Sequence, residues 1–206
     1  MVKGYTDKIA IENYILQEIG ETFDDQLDDY MENVERIIDE MTGRNFVADS
    51  EASARLYDGD GTEDLLIDEC VEVTEVATGN DGYGSGFTTV AASGADRYFS
   101  YPANHTVLSV PINKISLNAR CFTHGKQNNK VTAKWGYSVE CPADIRFAAT
   151  VFVAGILNQN RQGGDQIKSE KIGNYQVTYN TDQGADSWAD FQQAKAILDR
   201  YKVIHI

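Results

Sequence analysis

From Ile145 to Leu157 the chain is apolar nearly all round. Ile145, Phe147, Ala148, Ala149, Val151, Phe152, Val153, Ala154, Ile156 and Leu157 leave only Arg146, Thr150 and Gly155 between them. A helix with that pattern has no solvent face, so other elements or neighbouring subunits must cover most of its sides. Pro142 suits the first helical position, where a missing N–H costs nothing, and Asp144 sits in the first turn, favourable to the helix dipole. The stretch contains Arg146 and is too short to span a bilayer. The rest of the chain, or neighbouring subunits, must therefore wrap this segment in water.

Three further segments have helical periodicity. Thr6 to Ile19 predicts a first helix, with Thr6 or Asp7 as its cap, Ile11, Ile15 and Ile19 on one side, and Gly20 ending it. Asp24 to Met41 predicts a second, with an apolar stripe of Leu27, Tyr30, Met31, Val34, Ile37, Ile38 and Met41. Its polar side carries Asp24, Asp25, Asp28, Asp29, Glu32, Glu35, Asp39 and Glu40. Gly43 suits a C-cap, and Arg44 falls near the negative end of the helix dipole. A last helix, capped by Asp186 or Ser187, places Trp188, Phe191, Ala194 or Lys195, Leu198 and Tyr201 on one side. The chain then ends in Tyr201 to Ile206, which reads as a short strand.

Between the helices the period changes to two. Ala54–Tyr57, Asp64–Asp68, Cys70–Val76, Phe87–Ala91, Arg97–Tyr101, Thr106–Val110, Lys114–Ala119 and Lys130–Tyr137 are strand candidates. Asp58-Gly59-Asp60-Gly61 predicts a hairpin turn, and Thr78 to Gly86 a glycine-rich loop. Ile167 to Asn180 alternates around a turn at Gly173-Asn174. The fold class is thus α+β, with a β-rich block over residues 51–140 set between helices in 1–50 and 141–206.

Charge and motifs narrow the chemistry. With 18 basic and 32 acidic residues, the net charge is −14. That disfavours duplex binding, which needs Lys/Arg to neutralise phosphates, and adhesion to an anionic membrane. Cys70, Cys121 and Cys141 are odd in number and widely spaced, so three reduced thiols are expected. The N-terminal residues have no signal-peptide core, and a soluble chain made in the cytosol is expected. His105, His124 and His205 are scattered without zinc spacing, and neither a GxSxG elbow nor a P-loop occurs. The acidic run at Asp58 could hold Ca²⁺, but its glycines occupy the wrong loop positions for an EF-hand. No cofactor and no metal are expected.

Several segments together resemble the head–tail connector (adaptor, or head-completion) family of long-tailed bacteriophages. They are Ile37 to Phe46, Leu56 to Gly59 with Asp64 to Ile67, Asp96 to Pro102, Val131 to Tyr137 with Cys141 to Ile145, and Ser169 to Tyr179. Val131–Ile145 followed by Ser169–Tyr179 is the most specific part, and none of the segments is a catalytic signature. The resemblance implies a bundle of about four helices with a β-rich insertion between the second and third long helices, and an extended C-terminal tail. It also implies a structural virion protein: a ring, twelve-fold, under the portal at the capsid–tail junction, assembled in the host cytoplasm. Such a ring would extend the DNA channel, pass DNA without sequence-specific binding and meet the next neck or tail-completion protein. The region Thr78 to Leu117 departs from the smaller members of that family.

Two surfaces follow as expectations. The acidic side of the second helix, Asp25, Asp28, Asp29, Glu32 and Glu35, would line the channel, where like charge keeps DNA from adhering. Trp188, Phe191, Leu198, Tyr201, Val203, Ile204 and Ile206 would form the portal or subunit interface, the tail pairing by strand addition. The alternatives are a tail-completion or other neck subunit on the tail tube, a metal-dependent hydrolase using the acids near Asp58, and a carbohydrate-binding surface module.

Overall fold

A computed structural model describes residues 3–79, 86–161, 167–172, 175–180 and 185–203, with side chains outside 159–188. In chain order the elements are α1 (Lys8–Ile15), a 3-10 turn (Glu21–Phe23), α2 (Asp24–Thr42), β1 (Ser53–Gly59), β2 (Asp64–Gly79), β3 (Phe87–Val90) and β4 (Tyr98–Tyr101). They continue with α3 (His105–Leu108), β5 (Ile112–Leu117), β6 (Gly125–Trp135), α4 (Ala143–Arg161), β7 (Ile167–Ile172), β8 (Tyr175–Asn180) and α5 (Ala185–Tyr201). The mixture of helices and antiparallel strands is the α+β class read from the sequence. The chain divides into two compact units, residues 1–46 with 141–206, and residues 47–140.

In the first unit α4 is the centre. It touches α1, α2, α5 and β8. Ile145, Ala148, Ala149, Val151, Phe152, Val153, Ala154, Ile156 and Leu157 are all buried, so the missing polar face finds its cover within one subunit. Each large side chain buried this way is worth roughly 1.5–3 kcal/mol. The Phe152 ring meets Phe191 of α5 at 5.3 Å. The hairpin β7–β8 pairs Ile167 with Asn180 through Ile172 with Tyr175. Its predicted turn, Gly173-Asn174, lies outside the described residues.

α2 forms where its stripe predicts, and Gly43 closes it with a φ of 70°, its N–H donating to the Asp39 carbonyl. α1 is shorter than its isoleucine spacing suggests. Asp7 caps it through the Ala10 N–H, but the helix stops at Ile15, with Leu16 left-handed. The reason is local: the Glu12 carboxylate accepts from the Ile19 N–H at 2.7 Å, so the chain doubles back and buries Ile19 outside the helix. At the other end Tyr201 is helical, not the start of a strand, and the Val203 N–H donates to the Thr42 carbonyl at 2.8 Å.

The second unit is an antiparallel sheet in the order β1-β6-β2-β5-β4, with β3 also on β2. The two predicted segments Asp64–Asp68 and Cys70–Val76 are one long strand. Its first part pairs β5, and its second pairs β6 and β3. Register shifts between Leu66 and Cys70, Cys70 and Glu72, and Val73 and Glu75 bend it, as bulges do. Leu65, Val76, Ile115, Leu117, Phe122, Val131 and Trp135 fill the core.

Two local readings are corrected here. β1 and β2 both pair with β6 and not with each other, so Asp58–Gly61 is not a hairpin turn. It is an Asx turn, in which the Asp60 carboxylate accepts from both the N–H and the hydroxyl of Thr62. Gly59 is required for packing, since a Cβ there would lie 1.9 Å from the Thr123 carbonyl oxygen. Thr106–Val110 is not a strand: the Pro102 carbonyl accepts from the His105 N–H, and the chain makes the single turn α3 before a left-handed Ser109.

Candidate functional site

The C-terminal half of α2 gathers both ends of the described chain. Glu35 is buried, and its carboxylate accepts from the backbone N–H groups of Lys3 at 2.6 Å, Gly4 at 2.8 Å and Tyr5 at 2.9 Å. One turn on, Asp39 accepts from the Tyr5 hydroxyl and the Lys3 ammonium. The Tyr5 hydroxyl in turn accepts from the Phe46 N–H at 2.7 Å. Burial, reinforced by the bond to Asp39, pushes the Tyr5 phenol far above its ordinary value. The rings of Tyr5 and Tyr201 both meet the Phe46 ring in T-shaped contacts, at 5.9 and 5.3 Å. Arg44 Nε donates to the Tyr201 carbonyl at 2.6 Å, and the Tyr201 hydroxyl donates to Asp144 at 3.0 Å. The predicted partnership of Arg44 with its own helix end thus becomes a link to the end of α5.

This arrangement divides the expected acidic face. Asp25, Asp28, Asp29 and Glu32 are exposed on α2. Glu35 is not a member: it is buried at 2% and spent on the N-terminal backbone, so it cannot line a channel. A signal for this existed, because Glu35 lies four residues from Met31 and three from Ile38, on the edge of the apolar stripe. What lay out of reach was the set of N–H groups that would meet it.

The expected C-terminal interface divides too. Phe191 and Leu198 are fully buried, on the side of α5 that meets α4, and are no docking surface. Tyr201 and Val203 are partly exposed but hold their own subunit through the bonds above. The Trp188 side chain, Ile204 and Ile206 lie outside the described residues, as does His205.

Asp58 accepts from Lys126 Nζ at 2.6 Å and the Gln127 N–H at 2.9 Å, and these bonds hold its carboxyl below the usual range. Among the described residues no three His, Cys, Asp or Glu side chains gather to hold a metal ion. All three cysteines are free; Cys70 and Cys141 are buried and Cys121 is exposed. Burial pushes the Cys70 and Cys141 thiols up to about 12. No helix among the described residues is long and apolar enough to cross a membrane.

No family model matches the chain, and no curated protein matches it. Solved structures match in fold. A chain from the neck of an empty GTA (gene transfer agent) particle, computed with C6 symmetry, superposes with a TM-score of 0.59 at 10% identity, over 100% of this chain and 94% of that one. A chain from the neck of a native GTA particle, computed with C12 symmetry, gives 0.51 at 13% identity, over 97% and 92%. The likeness takes in nearly the whole length of both partners, helical and β parts together, and it is a likeness of fold.

Proposed function

We propose that the chain is a ring-forming structural subunit of the neck of a phage-like particle. The whole-length fold correspondence to neck chains carries this reading. The ring would join the capsid vertex to the tail, docking on the portal on one side and on the next neck or tail-completion protein on the other. Twelve subunits would match the portal, and the chain would do no chemistry. The fold would be a bundle of about four helices with residues 51–140 inserted between the second and third long ones. The division of the chain near residues 46 and 141 supports that description.

Within this reading the exposed carboxylates Asp25, Asp28, Asp29 and Glu32 face the DNA channel. The net charge of −14 supports a conduit that repels what it passes. Portal docking falls to Trp188, Ile204 and Ile206 with the outer sides of Tyr201 and Val203. Mixing the purified protein with portal and imaging the product tests the assignment. Rings seated on the portal are expected; failure to co-migrate with portal under every condition overturns it. Deleting only 204–206 should weaken docking without lowering the thermal midpoint. Removing Tyr201 as well would also destabilise the subunit, because Arg44, Phe46 and Asp144 all hold that residue.

A further inference from the structure

We infer that the exposed apolar face of the β unit is covered by a second copy of this chain, which presents the α1 end of its helical unit. The inference rests on the ring reading above and names the two surfaces that meet.

Strand register builds the first surface. Leu66 stands opposite Lys114, and Lys114 opposite Tyr101; Ser116 stands opposite Phe99. Residues two apart on a strand share a face, so Leu66, Phe99 and Tyr101 lie on one side of the sheet, while the alternate Leu65 and Ile115 fill the core. The connection from β4 to β5 adds Val107 and Leu108. Exposure reaches 82% at Val107, 76% at Leu66 and 61% at Leu108. Single exposed apolar residues are ordinary, but three on one sheet face, with two more in the connection between its strands, mark an interaction site. Its charges are placed in a pattern. The Lys114 ammonium lies over the Tyr101 ring and pairs with Asp64. The Arg97 guanidinium stacks on Phe99 at 4.5 Å and enters no described ion pair, which leaves it to receive a carboxylate.

The second surface is complementary. Ile9 lies in the first turn of α1 and Leu16 is its C-cap, and the two are 69% and 91% exposed. Leu16 is held in the left-handed region at φ 54°, a conformation that costs a leucine free energy. Glu18 and Glu21 are exposed in the chain that follows, with Phe23 half-exposed beyond them. An apolar patch with acids thus faces an apolar patch with a free guanidinium, and charge complementarity selects another copy of this chain. Two different patches on one chain make a head-to-tail contact, the kind that closes into a ring.

Self-association of the full chain, measured by sedimentation over a range of concentrations, tests this. Arg97→Glu, Val107→Asp and Leu16→Glu should each weaken it by at least about tenfold. All three positions are exposed, so thermal midpoints should stay put and report intact folding. Combining Arg97→Glu with Glu18→Arg and Glu21→Arg should restore association. Variants that associate like the wild type overturn the inference, and if rings still form, the ring reading survives it. Loss with Val107→Asp but no rescue by the charge exchange overturns the α1 assignment. A wild-type chain that stays monomeric at every concentration overturns the second copy as occupant; the portal experiment judges the ring reading separately.

Discussion

Glu35 shows how much one side chain can carry. Its carboxylate meets three backbone N–H groups, that of Tyr5 buried and those of Lys3 and Gly4 part-buried, that have no helix or sheet to join. Glu35→Ala would leave them unpaired, and the loss should be about 2–4 kcal/mol in urea unfolding followed by circular dichroism. Glu35→Gln keeps one acceptor oxygen and should lose less. Equal midpoints for Glu35→Ala and wild type would show that the N-terminal segment is not held this way. The thiols give a second expectation at this scale. Only Cys121 is exposed, and burial raises the other two. A thiol reagent at mildly alkaline pH should therefore modify one cysteine in the native protein and all three after denaturation. Rapid native labelling of Cys70 or Cys141 would contradict that burial.

At the scale of elements, the β sheet carries its ionic links on its surface. The carboxyls of Asp58, Asp64 and Glu75 are held below their usual range, by hydrogen bonds from Lys126, Lys114 and Thr89 respectively. Asp60 is held low by Thr62. A depressed folded value means the contribution is complete above the unfolded value, 3.8 for aspartate, and is lost as the pH falls through the folded one. These groups should leave the urea midpoint of the sheet flat from about pH 7 to about pH 5 and lower it below about pH 4. Trp135 fluorescence in a Trp188→Phe background reports this unit, since Trp135 is buried in its core. Lys126→Ala removes the largest cause at Asp58 and should make the acid limb shallower; an unchanged limb would argue against the pairing. Among helices, α4 owes its place to having no polar face, whereas α1 is cut short by the single Glu12 carboxylate.

For the whole molecule, the two chain crossings into the β unit run side by side. The Ala48 N–H donates to the Ser138 carbonyl at 2.8 Å, and the Asp49 N–H to the Trp135 carbonyl at 2.9 Å. Gly136 permits that approach, because a Cβ there would come within 2.5 Å of Ala48 Cα. A segment whose two ends lie side by side can be removed with little strain. Replacing residues 48–138 by a short Gly/Ser link should therefore leave a helical unit that melts cooperatively. Loss of the cooperative transition would show that the helices depend on the β unit for stability.

The sequence alone determined what is set by near neighbours. The stripe of α2, its Gly43 stop, the Asp7 cap and the all-round burial of α4 follow from spacings of three, four and seven residues, and all were legible. So were the α+β class and most strand positions, since alternation is a local property. The tertiary structure decided what depends on distant partners. Strand order put β6 between β1 and β2 and turned an expected hairpin into an Asx turn. Phe191 and Leu198 left the expected surface because α4 needed cover from its own chain. Glu35 left the acidic face because N–H groups some thirty residues earlier in the chain offered it better bonds than water at the helix surface. Periodicity says which side of a helix is apolar; only packing decides what that side meets, and whether a carboxylate at its margin faces solvent or holds the backbone together.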